Sequence, residues 1–119
     1  MSQQLENDIK QVEMTIEHAQ ELVRKGKLAE KLADNPDFKE IIIEGFIFNE
    51  AVRLAHLIGD PTVIDPNIVA VCKRDIHAPG ALKRYLSAMV TIGHNAANEL
   101  LACEIELDDL RNEELNQDD

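Results

Sequence analysis

Apolar residues recur along the first part of the chain at alternating steps of four and three: Leu5, Ile9, Val12, Ile16, Ala19 and Val23. That rhythm holds one stripe of a helix for nearly three heptads, with Glu6, Asp8, Glu13 and Gln20 beside it. Gly26 takes the next stripe position, where it is expected to end or bend the helix, and Leu28 and Leu32 continue the apolar spacing. The stripe suits a helix packed on its own domain and an intermolecular coiled coil equally well. Three heptads alone are marginal as a zipper, because a short isolated helix gains little from propensity.

From Asn35 to Gly59 the pattern changes. Phe38, Ile41, Ile42, Ile43, Phe46, Ile47 and Phe48, then Val52, Leu54, Leu57 and Ile58, leave almost no polar face. A segment apolar on nearly every side is expected to be covered on several sides, so this stretch is read as a buried central helix. Asn35-Pro36-Asp37 supplies a start: a capping side chain, a proline allowed at the first helical position, and an acid at the positive helix end. A buried strand over Glu40–Phe48 is the rival, since Ile and Phe favour strands and Gly45 weakens a helix. Gly59-Asp60-Pro61 is a stop signal. Asp65-Pro66 opens a further helix carrying Ile68, Val69, Val71, Cys72 and Ile76, and Pro79-Gly80 is expected to break the chain once more.

A long helix is then expected from Ala81 to about Asn112, with the stripe Leu82, Leu86, Met89, Gly93, Ala96, Leu100, Cys103, Leu107 and Leu110 again spaced four and three. Gly93, Ala96 and Ala97 form a saddle of small residues that another helix could approach closely; the bulky stretch around Phe46 and Phe48 is the expected occupant. From Asp108 successive acids oppose the helix dipole, and the helix is expected to fray. The fold class is therefore all-α: a helical bundle in which a long N-terminal and a long C-terminal helix form an antiparallel, coiled-coil-like pair around a buried central helix. Residues 1–112 make one helical domain (heptad helix 1–34, central helices 35–78, long helix 80–112), and 113–119 an acidic tail.

Composition sharpens this picture in two places. With 45% hydrophobic but only 3% aromatic residues and no Trp, the 119-residue chain has the aliphatic core of packed helices. The net charge of −11 is unevenly placed: residues 104–119 hold eight acids against one base, Arg111. Phosphate-backbone binding needs clustered bases, and Lys73-Arg74 and Lys83-Arg84 are too small for that, so direct nucleic-acid binding is not expected. The opening residues MSQQLENDIK have no apolar core of a secretory signal, and no run approaches a membrane span, so a soluble intracellular protein with reduced Cys72 and Cys103 is expected.

Candidate chemistry is thin. His18, His56, His77 and His94 form no metal-ligand spacing with each other or with the cysteines; Cys72 and His77, five apart, do not share a helical face. Glu13/Glu17 and Glu40/Glu44 each share a face, without a nucleophile or ligand beside them, and read as solvated pairs. A Cys–His nucleophile joining Cys103 or Cys72 to His94 has no supporting motif. Arg53 is expected in a buried salt link with Glu50 or Glu99. No catalytic residue, cofactor or metal is assigned, and the protein is read as a non-enzyme.

The words Asn35-Pro36-Asp37-Phe38, Glu44-Gly45-Phe46, Glu50-Ala51-Val52-Arg53-Leu54 and Gly80-Ala81-Leu82 cover Leu32 to about Gly93. In them the chain resembles small helical proteins of tailed bacteriophages, encoded among virion-structure genes. It departs from that pattern at Pro79, which stands where an apolar residue is expected. The resemblance implies a structural or assembly protein of the particle, acting in the host cell cytoplasm or inside the virion, through homo-oligomers or contacts with another phage head or virion protein. Leu5, Ile9, Val12, Ile16, Val23, Leu100, Leu107 and Leu110 are the expected protein interface. The alternative is an acidic phage-encoded inhibitor that binds a host or defence protein.

Overall fold

The computed structural model describes residues 2–117. It is all-α. Helix α1 runs Gln3–Asp34, α2 is the single turn Pro36–Phe38, a π-helix (π1) follows over Lys39–Glu50, and α3 spans Ala51–Gly59, so residues 36–59 are helical without a break. After the connector come α4, Pro66–Asp75, and α5, His77–Gln117. Two compact units result: one joins the chain up to Lys27 with the chain from Met89 onward, the other spans Leu28–Ala88.

The first unit is a pair of long helices packed against each other. Ser2 opens α1, its Oγ accepting from the Leu5 backbone N–H at 3.0 Å. Val12, Cys103 and Leu107 form the buried centre of the pair, and Ile9, Ile16 and Leu110 pack around them. Arg111 donates to Glu13 at 3.3 Å, while Gly26 meets Gly93, so α5 climbs in sequence as α1 descends and the pairing is antiparallel. Ala29 is buried but belongs to the second unit; within the first, the buried positions of α1 recur in sevens and shrink as they go: Leu5, Val12, Ala19, Gly26. Those of α5 shrink toward Gly93 in the same sense, from Leu107 through Cys103 to Ala96.

Two expectations from the sequence are corrected here. Gly26 neither ends nor bends α1, which continues to Asp34. Its lack of a side chain lets the backbones touch: a Cβ on Gly26 would sit 2.9 Å from the Gly93 Cα and 3.1 Å from the Met89 carbonyl oxygen. The small-residue saddle at Gly93 is likewise occupied from α1, by Gly26 and the Leu22 carbonyl, where the Phe46–Phe48 stretch was the expected neighbour.

In the second unit Asn35 caps the helical run as expected, its Oδ1 accepting from the Asp37 and Phe38 N–H groups at 3.0 Å each. Asp65 does the same for α4, accepting from Asn67 N–H at 2.9 Å. Between them the Glu40–Phe48 stretch is helical, so the strand reading fails. The helix is nevertheless not a buried one. No residue of π1 is fully buried, and Ile41 and Phe48 are each 66% exposed. Leu54 in α3 and Cys72 in α4 are the buried members of that pair of helices, at 4% and 5%. The physical reason is supply: α4 has ten residues, too few to cover a twelve-residue wide helix that carries Ile41, Ile42, Ile43, Phe46, Ile47 and Phe48.

Pro79 does not separate two helices. It is the third residue of α5, in the first turn, where its missing N–H has no intrahelical acceptor to lose, and it is fully buried. At the far end α5 runs on through Asp108 to Gln117, past the fraying expected at Asp108 and the stop expected at Asn112. Asp118 and Asp119 lie outside the described residues.

Candidate interaction surface

The side chains expected to bind other molecules are largely spent inside the chain. Leu5 (4% exposed), Val12 and Leu107 are buried, and Ile9, Ile16, Val23, Leu100 and Leu110 are half-buried. Six of the eight lie in the α1–α5 pairing of the first unit as core or as its immediate packing, or, for Leu5, are almost wholly covered. Of the two uses the stripe suits, these contacts are those of packing within the chain.

What faces water instead is a different set. In the first unit Met14, Ile92, Leu101, Ile105 and Leu115 are exposed; in the second, Leu28, Leu32, Ile41, Phe48, Val52, Ile64, Ile68, Val71 and Tyr85. Scattered apolar residues on a surface need no explanation, but contiguous ones do. In the second unit three of them, Ile41, Ile68 and Val71, line two adjoining grooves that share Leu54. Ile41, Ile42, Gly45, Phe46, Glu50, Leu54, Asp75 and Ala78 line a groove of about 530 Å³. A second groove of about 390 Å³ shares Leu54 and Asp75 with the first and continues past Arg53, Leu57, Asn67, Ile68, Val71 and Cys72.

The wide turn of π1 explains the first groove. With i→i+5 hydrogen bonding, successive turns step by more than four residues, which brings Ile41, Gly45–Phe46 and Glu50 to one side. Gly45 lines that side; a Cβ on it would lie 3.1 Å from the Glu40 carbonyl five residues back, a close backbone neighbour peculiar to the wide turn. The second groove follows from α3 packing on α4, with the Leu54 and Cys72 side chains as its floor.

Charges sit at the rim in pairs of opposite sign. Arg53 donates through Nε (3.0 Å) and Nη2 to the two Glu50 carboxylate oxygens, and that hydrogen bonding holds the Glu50 carboxyl below the usual carboxylate range. The link is the one foreseen for Arg53, but it is on the surface, with 58% of the Arg53 side chain exposed, and not buried. Arg74 donates to Asp75 at 3.0 Å. Among the described residues no group of three or more His, Cys, Asp or Glu could hold a metal ion, and no helix is long and apolar enough to cross a membrane. Cys72 and Cys103 are buried thiols, one in each unit.

The trough around Leu54 is foreshadowed in the sequence only by the surplus of apolar residues between Ile41 and Phe48, a pattern that fits burial within the chain equally well. Compared with protein-family models, curated proteins and solved structures, the chain matches none.

Proposed function

We propose that this is a non-catalytic assembly protein that acts by associating with copies of itself through helix faces, of the kind encoded among the virion-structure genes of tailed bacteriophages. The observation that carries the first half is the exposure of large aliphatic and aromatic side chains on helices that the rest of the chain leaves uncovered, Ile41 and Phe48 at 66% among them. Covering such surface stabilises by about 25 cal/mol per Å², so a second protein surface is favoured over water. The phage context is supported by the words spread over Leu32 to Gly93, and it brings another head or virion protein as a further partner, in the host cytoplasm or in the particle. In this reading the seven-residue repeat of α1 and α5 gives a coiled-coil-like crossing that holds the two helices as a rigid hairpin while other faces bind.

Size-exclusion chromatography with light scattering is the direct test. The expected result is a multiple of the 13.4 kDa chain mass across micromolar concentrations; a monomer throughout overturns the proposal. Mass spectrometry of purified virions checks the phage half, where the chain is expected among the particle proteins.

One observation favours the second reading, an inhibitor of a host or defence protein. The acids from Glu104 onward stand on a formed helix as far as Gln117, so their carboxylates are fixed in space instead of trailing. Deleting 112–119 separates the two: loss of all partner binding supports the inhibitor, and unchanged self-association supports assembly.

A further inference from the structure

The self-association proposed above leaves open which surface is used, and we infer that a second copy of this chain docks on the trough of the second unit, over Leu54, between the Ile41–Phe46 side of π1 and the Ile68–Val71 ridge of α4. The inference rests on the assembly reading and adds the place.

Area is the first support. The chain presents 8654 Å² of accessible surface, whereas a self-sufficient monomer of this mass keeps about 6,500 Å². The difference, roughly 2,000 Å², exceeds the 800 Å² or so that each partner contributes to a standard interface. Among the described residues nine of the fourteen large hydrophobic side chains that remain exposed belong to the second unit.

Charge is the second. Nine acids and seven bases give Leu28–Ala88 a net charge of −2, and the remainder of the chain carries the other −9. Two copies approaching through the first unit bring like charges together. Two copies approaching through the second do so nearly free of that repulsion. The rim is also self-complementary: Glu50, Arg53 and Asp75 line the trough, so the same patch turned about a two-fold axis offers arginine to carboxylate. Ile68 and Val71, 47% and 45% exposed and one helical turn apart, form an apolar ridge on one wall of the trough.

A second copy is the occupant of choice because the trough is exposed in the chain as folded. A partner made at another time would leave it in water, whereas a copy is present wherever the chain is.

The test compares three proteins by sedimentation equilibrium, with far-UV circular dichroism and thermal melts to establish that each is folded. They are the unaltered chain, Ile68→Glu/Val71→Glu, and Leu101→Glu/Ile105→Glu in the first unit. The expected result is an oligomer for the first and third, and for the trough variant a dissociation constant raised roughly a hundredfold or more. Ile41→Arg, on the opposite wall and 66% exposed, gives an independent reading should the double variant fail to fold, and the same weakening is expected. An oligomer that survives both trough changes, or one that the Leu101/Ile105 pair dissociates, overturns the docking site and leaves self-association standing. A monomeric unaltered chain overturns self-association itself.

Discussion

The contact between Gly26 and Gly93 sets Gly93 apart from Gly80, which lies on the same helix. Alanine at Gly26 or at Gly93 would place its Cβ 2.9 Å from backbone across the pair, and backbone cannot swing aside as a side chain can. Either substitution is expected to destabilise by about 1–2 kcal/mol after the roughly 1 kcal/mol that better helix propensity returns. Gly80, also in α5, has nothing within 4 Å of its ideal Cβ and no positive φ, so Gly80→Ala is expected to stabilise by about 0.5–1 kcal/mol. Urea unfolding of the three variants checks both signs. Cys103 provides a second test at this scale. Burial pushes its thiol up, and the Glu99 and Glu106 carboxylates push the same way, so the folded state favours the protonated form. That contribution is whole below the unfolded thiol's pKa of about 8.5 and is lost as pH rises through the higher folded value. Stability should therefore fall on the alkaline side, less so in Cys103→Ala, and iodoacetamide should label Cys103 far more slowly at neutral pH than after unfolding.

Among the elements, the helical run of residues 36–59 depends on the residue that caps it. Asn35 satisfies two otherwise orphaned N–H groups. Asn35→Ala is expected to cost about 1 kcal/mol, measured by thermal melting, and to raise amide exchange in α2 before any change in α1. These caps were legible in the sequence because Asn-Pro and Asp-Pro have few other uses. So was the α1 stripe, since a period of 3.5 has one physical meaning whichever surface it faces, and the matching stripe of α5 is the face it packs on. Gly26 was misread because the same residue marks a helix end and a close helix contact. Pro79 was misread because a proline in the first turn and one that ends a helix look alike until the start of the helix is known. The exposure of π1 could not be read at all: a segment apolar on every side states that it needs cover, and says nothing about whether this chain supplies it.

Taken whole, the molecule carries its repulsion and its apolar surface in different units. Copies bearing a net charge of −11 each repel through water, and salt screens that repulsion within about 8 Å at physiological ionic strength. Self-association is therefore expected to tighten as sodium chloride rises from 50 to about 300 mM, by roughly threefold to tenfold, the opposite of an interface held by charge pairs. Sedimentation across that range decides it, and truncation at residue 112, which removes four acids without touching the second unit, should flatten the dependence.

The graded residues of the first unit have one more consequence. From Leu5 to Gly26 the buried positions of α1 narrow, so the two helices form a wedge whose thin edge is the glycine crossing. Uniform coiled coils slide by a heptad and lose little. Here a slip of seven would drive Ala19 or Ala33 onto the Gly93 backbone, so the hairpin has a single alignment, and a pair of helices that meets out of step must part and begin again.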